Sequence, residues 1–130
     1  MKKQMQTAIF NLYGCETFWL KSKYVVKNFL IKLVQEIEMT LVPYEMLKTK
    51  NPITFFFDPK IVNAGNEEIG VSGVAILCES HCAIHTWPLL EGFAHIVIDS
   101  CKPFNVKKAK IFCKKWFKAK RIVSKNYKMK

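Results

Sequence analysis

The chain has 130 residues, half of them hydrophobic, which suits one domain around one core and excludes a disordered polymer. Its formal charge is +11, from 21 basic and 10 acidic residues. No apolar run reaches the roughly 18 residues that a membrane span needs, and Met-Lys-Lys-Gln opens no secretory signal, so a cytoplasmic protein is expected.

Thr7 to Leu12 (TAIFNL) predicts a first strand. From Phe18 to Ile37, apolar residues at Phe18, Leu20, Val25, Val26, Phe29, Leu30, Leu33, Val34 and Ile37 follow the spacing of an amphipathic helix, with Lys21, Lys23, Lys27, Lys32 and Glu36 on its other face. Thr40 to Leu47 and Ile53 to Phe57 read as extended, punctuated by Asn51-Pro52 and Asp58-Pro59. Asn63 to Glu68 reads as a loop. Val71 to Leu77, Cys82 to Trp87 and Phe93 to Asp99 predict three short strands, divided by turns at Glu79-Ser80 and Pro88 to Gly92. Val106 to Ala119 predicts a second amphipathic helix, and Arg121 to Tyr127 a last strand. Strands in a run between isolated helices imply α+β: a two-layer sandwich, with an antiparallel sheet and helices packed on one face. One domain spans 1–130. The second face of such a sheet calls for a partner, another subunit being the obvious one.

The charge is uneven. From Lys102 to Lys130 there are 12 basic residues and no acidic one, a segment suited to an anionic partner. Yet 20 of the 21 basic residues are Lys, whereas base readers favour the bidentate fork of Arg. Abundant Lys, Ile, Asn and Phe together are what AT-rich coding produces. A solvated helix face is therefore expected, with no nucleic-acid and no membrane partner.

The chemistry concentrates in Glu79-Ser80-His81-Cys82-Ala83-Ile84-His85, which holds a carboxylate, a hydroxyl, two imidazoles and a thiol within seven residues. Cys78, His81, Cys82 and His85 are residue types that bind zinc. Alternation along a strand puts the cysteines and the histidines on opposite sides, so no metal is expected. The cysteines (Cys15, Cys78, Cys82, Cys101, Cys113) are odd in number and lack a Cys-x-x-Cys pair, which argues for free thiols over a disulfide framework. Structural core roles are the default for His95, Cys15 and Cys113. On residues alone, a decorated strand, a metal site and a reaction centre all stay open.

Gly70-Val71-Ser72-Gly73-Val74, Glu79-Ser80-His81, Ile84-His85-Thr86-Trp87-Pro88 and a cysteine about twenty residues past the serine resemble the short prokaryotic S-adenosylmethionine decarboxylases. The order of elements and Lys118-Ala119-Lys120-Arg121 are similar too. The resemblance implies a pyruvoyl-dependent enzyme of polyamine biosynthesis, made as a proenzyme. Ser80 Oγ would attack the Glu79 carbonyl, and the chain would part into residues 1–79 and 80–130, leaving a pyruvoyl group derived from Ser80. By resemblance, Ser72 holds the processing intermediate and His85 transfers the proton that drives elimination. The substrate amine would form a Schiff base with the pyruvoyl carbonyl, and Cys101 would return the proton after carbon dioxide leaves. No metal is implied, and a homodimer of cleaved protomers is.

The substrate side departs from the family. Its adenine-stacking aromatic aligns with Asn66, followed by Glu67 and Glu68. After Trp87-Pro88 come Leu89 and Leu90, and the ribose-holding glutamate falls one place later, at Glu91. One extra residue separates Ser80 from Cys101. The family's acidic residue between these blocks falls on Val97, with Asp99 close by, and Lys102 stands where glycine is usual. Two accounts stay open. In one, Glu91 holds the ribose of S-adenosylmethionine, and Phe55, Phe56 or Phe57 joins Trp87 as the adenine platform. In the other, Glu67 and Glu68 pair with the cationic side chain of arginine or ornithine, decarboxylated by the same chemistry. A non-catalytic basic binding protein is a third reading, which would leave Ser80 and Cys101 without a task.

Overall fold

A computed structural model describes residues 4–40, 53–55 and 70–129. In chain order these form β1 (Met5–Tyr13), α1 (Thr17–Leu20), α2 (Lys23–Glu36), β2 (Ile53–Phe55), β3 (Ser72–Leu77), β4 (Ser80–Trp87), β5 (Phe93–Ser100), α3 (Val106–Trp116) and β6 (Arg121–Met129). The strands make one sheet in the order β2-β3-β4-β5-β1-β6, and every pairing is antiparallel.

Period-two alternation builds the two faces. In β1, Ala8, Phe10 and Leu12 are buried; in β4, Cys82 and Ile84; in β5, Ala94, Ile96 and Ile98. They meet Val26, Phe29, Leu30 and Leu33 of α2, and Ala109 and Cys113 of α3. Phe29 is the hinge of this layer: its ring stacks on Phe112 at 5.9 Å and tilts onto Phe117 at 4.7 Å. The expected two-layer α+β sandwich is what forms. The opposite face of the sheet carries half-buried residues, among them Thr7, Ile9, Asn11 and Tyr13 of β1, and is called the open face below.

The single helix expected over Phe18–Ile37 is two. Lys21 and Ser22 interrupt it, because Ser22 takes an extended conformation and its hydroxyl accepts from the Val25 N–H at 3.3 Å. A serine that satisfies an otherwise orphaned N–H starts a new helix more readily than it continues an old one. β1 runs longer than expected at both ends and β6 at its C-terminal end, and α3 stops at Trp116 rather than Ala119. Of the two extended segments expected before the Gly70 block, Ile53–Phe55 is a strand. Residues 41–47 and 56–57 and the loop Asn63–Glu68 lie outside the described residues.

Candidate active site

Leu77 and Ser80 face each other across β3 and β4, so Cys78 and Glu79 make the tight turn between them, and both are exposed. Ser80 thus opens β4 rather than lying within the turn. Beside it runs the end of β5, where His81 pairs with Asp99. One step further, the Cys101 N–H donates to Ser80 Oγ at 2.9 Å. That bond brings together two of the residues expected to carry chemistry, twenty-one positions apart in the chain. Ser100 is fully buried, and its hydroxyl accepts from the Lys102 N–H at 3.2 Å. This holds the backbone on both sides of Cys101.

A second cluster lies further along β4, on the open face. Ser72 and His85 are directly opposite, with Ser72 Oγ 2.7 Å from His85 Nδ1. The row continues through His95 to Asn11, whose Oδ1 is 2.6 Å from His95 Nδ1. His95, expected in the core, is instead half-buried on this face. The next row is aromatic. Trp87 stacks on Phe93 at 5.2 Å, Phe93 on Tyr13 at 5.2 Å, and the Arg121 guanidinium sits 4.1 Å above Tyr13. Glu91 is exposed in the turn after Trp87, at φ 52. The turn is tied down where the Gly14 N–H donates to Glu91 O at 3.0 Å. Glu67 and Glu68 lie outside the described residues.

The two clusters do not meet within one protomer. Ser80 and His85 are five residues apart on one strand, about 16 Å at the usual rise. The residues weighed as zinc ligands diverge as well: Cys82 points into the core, His81 and His85 stand on the open face, and Cys78 is in the exposed turn. Among the described residues, no three His, Cys, Asp or Glu side chains are arranged to hold a metal ion. Burial pushes the thiols of Cys15 and Cys82 up to about 12. Burial, with Cys82 close by, raises that of Cys113. Those three thiols stay protonated inside the core. Cys101 is only half-buried.

The motifs of the first cluster were visible in the sequence; Phe93, Tyr13, Arg121 and Asn11 were not. Their side of each strand was legible from alternation. Their neighbours depended on the pairing of β1 with β5 and β6, which no local spacing reports.

The family model described as S-adenosylmethionine decarboxylase matches residues 6–129. The chain belongs to the S-adenosylmethionine decarboxylase family. Its relatives include the S-adenosylmethionine decarboxylase proenzyme of Methanococcus vannielii, 35% identical over 101 residues, 78% of this chain and 68% of the relative. The proenzyme of the same name from Sulfolobus acidocaldarius is 34% identical over 112 residues, 85% of this chain and 76% of the relative. The crystal structure of the adenosylmethionine decarboxylase from Aquifex aeolicus has the same fold, with a TM-score of 0.72 over 98% of this chain and 91% of that one, at 20% identity. The decarboxylase family thus spans both layers of the sandwich, and with them the Ser80–Cys101 contact and the Ser72–His85 pair.

Proposed function

We propose that this protein is a proenzyme that cleaves itself between Glu79 and Ser80 and then decarboxylates S-adenosylmethionine, yielding the aminopropyl donor of spermidine synthesis. The observation that carries the reading is the 2.9 Å bond from the Cys101 N–H to Ser80 Oγ, at the strand end that follows the exposed turn. In the first step Ser80 Oγ attacks the Glu79 carbonyl carbon, and the peptide amide becomes an ester. The Cys101 N–H favours this step, because a donor aimed at the attacking oxygen stabilises charge as its proton leaves. Removal of the Ser80 Cα proton then expels the Glu79 carboxylate, and hydrolysis releases the nitrogen of residue 80 as ammonia.

The residues present fit a pyruvoyl group formed in this way: its carbon skeleton is that of Ser80, whose side chain is held by the Cys101 backbone N–H. Such a group supplies a carbonyl that takes the substrate amine and draws electrons as carbon dioxide departs. Cys101 returns the proton to the substrate carbon. Trp87, with Phe93 and Tyr13 continuing its stack, offers a flat platform for an adenine, and Glu91 is assigned to the ribose hydroxyls. Nothing in the fold or among the relatives favours arginine, ornithine or a purely binding role. No metal is required.

Proton transfer needs hydrogen-bond reach, and His85 stands about 16 Å from Ser80 along β4. The reading therefore assigns the His85 and Ser72 that serve one Ser80 to a second copy of the chain, docked through the open face in a two-fold pair. This supports a homodimer. Among the described residues no helix is long and apolar enough to cross a membrane, and a cytoplasmic location is proposed.

Intact mass spectrometry tests the class. Two fragments, 1–79 and 80–130, are expected, the second blocked by a pyruvoyl group, while Ser80→Ala stays whole. Carbon dioxide release from S-adenosylmethionine, with arginine and ornithine inert, is expected from the cleaved form. A wild-type chain that stays uncleaved would overturn the reading.

A further inference from the structure

The core face of β1 and β5 ends on a row that its own pattern does not foretell. Leu12 faces Ala94, Phe10 faces Ile96 and Ala8 faces Ile98, all buried and apolar. The next row of the same face is Gln6 opposite Ser100, equally buried but polar. A polar side chain taken out of water is destabilising unless its hydrogen bonds are made. Four polar residues are buried among the described residues. Ser72 is paired with His85 and Thr86 holds the Val71 N–H; Gln6 and Ser100 remain.

Both direct their bonds at the segment that follows β5. Ser100 Oγ accepts from the Lys102 N–H at 3.2 Å and donates to the Lys102 carbonyl at 2.5 Å. Gln6 Oε1 accepts from the Phe104 N–H at 3.1 Å, while its Nε2–H donates to Asn126 Oδ1 of β6 at 2.9 Å. Pro103 has no N–H to place. From 101 to 104 every backbone N–H is then accounted for. Two are held by buried side chains, one is absent, and that of Cys101 donates to Ser80 Oγ at 2.9 Å. Peptide units are planar, so the direction of the Cys101 N–H depends on a few soft dihedrals. Ser100 is fixed in the sheet, and Lys102 is bound back onto its hydroxyl. That closed ring leaves the dihedrals of Cys101 little room.

We propose that Ser100 and Gln6 are positioning residues for Cys101: side by side at the end of the core face, they strap down the segment after β5 so that Cys101 is held against Ser80 Oγ. The consequence for the reaction rests on the roles proposed above for Ser80 and Cys101; the strap itself does not. In that reading Cys101 acts twice, through its backbone N–H in self-cleavage and through its thiol in decarboxylation. One misplaced residue therefore slows both steps.

The strap is read on uncleaved Ser80→Ala protein by amide hydrogen exchange followed by NMR. Ser100→Ala is expected to speed exchange at Lys102, and Gln6→Leu at Phe104, each by about fivefold or more, the worth of one buried hydrogen bond. The amides in the middle of β5 should change less. Unmoved exchange at both positions overturns the proposal. With Ser80 restored, chains made by cell-free translation report the rate of self-cleavage. Ser100→Ala is expected to cleave about tenfold more slowly, a modest loss for a misplaced reacting group, and Ser100→Thr, which keeps the hydroxyl, should recover most of the rate. Gln6→Leu leaves the Ser100 hydroxyl in place and should also slow cleavage, so it keeps the test alive if Ser100→Ala does not fold. In the cleaved form, kcat for S-adenosylmethionine should fall by a similar factor with KM unchanged. A merely less stable variant would lower its urea midpoint and leave the kcat of the folded protein where it was. Cleavage and kcat at wild-type values in both variants overturn the positioning role and leave the proposed function intact. A wild-type chain that never cleaves overturns that function and the positioning role together.

Discussion

Thr86 carries no chemistry in the scheme above, yet its hydroxyl joins three parts of the fold. It accepts from the Val71 N–H at 2.7 Å, lies 2.9 Å from the carbonyl of Leu20 at the end of α1, and is 3.1 Å from the carbonyl of Val71. It is nearly fully buried. It also stands between His85 and Trp87, so the bonds that hold it set the path of the strand bearing both. Gly70 packs against it so closely that a Cβ there would come within 2.0 Å of Thr86 O. Thr86→Val keeps the shape and deletes the hydroxyl, stranding a buried N–H and a buried carbonyl. A loss of roughly 2 kcal/mol or more is expected, read from urea unfolding of the Ser80→Ala protein, with Thr86→Ser recovering most of it. An unchanged midpoint would mean that the backbone finds other partners. Ser80, His85, Thr86 and Cys101 were legible because they fall in one short motif block and at one fixed spacing. The Asn11–His95 contact was not, because its partners are 84 residues apart in sequence and meet only through the register of β1 on β5.

Helix ends decide the next scale. The apolar spacing from Phe18 to Ile37 is continuous, and it hides the break at Ser22: periodicity reports which face is buried, while a cap reports where hydrogen bonding restarts. The start of α3 was easier to read. Pro103 and Asn105 precede the run, and Asn105 Oδ1 accepts from the Lys108 N–H at 2.9 Å. Asn105→Ala is expected to lower stability by about 1 kcal/mol, and Asn105→Asp by little. Thermal melting of uncleaved protein checks both; an equal loss from the two would point to packing rather than capping. The consequence reaches the site, since α3 begins five residues after Cys101 and Phe104 N–H is held by Gln6 Oε1 at 3.1 Å. The basic C-terminal segment resolves into the exposed side of α3 and the edge strand β6. Lys125 and Lys128 along that edge discourage pairing with a stray strand.

At the scale of the whole molecule, the separation of the two clusters makes a prediction about assembly. On the proposed reading, Ser80 and Cys101 form one half-site, and Ser72 and His85, about 16 Å along β4, form the other. A two-fold pair docked through the open face uses the same surface on both copies. Alternation already equips that surface: Ile9, Val74, Ala83 and Val97 make an apolar row between the Ser72–His85–His95–Asn11 row and the His81–Asp99 row. Complementation between two inactive proenzymes tests this arrangement. Ser80→Ala lacks the group to be cleaved but retains His85, and His85→Ala lacks the proton carrier but retains Ser80. Each alone should remain whole. Unfolded together and refolded as a mixture, they should form mixed pairs in which the His85 of the Ser80→Ala chain serves the Ser80 of the other. Fragments 1–79 and 80–130 should then appear by mass spectrometry from the His85→Ala chain only, in an amount that follows the fraction of mixed pairs. Cleavage of His85→Ala by itself would remove the need for the imidazole. Silence in the mixture, with mixed pairs demonstrated by a mass tag on one partner, would place the whole of processing within a single chain and require β4 to bend between Ser80 and His85.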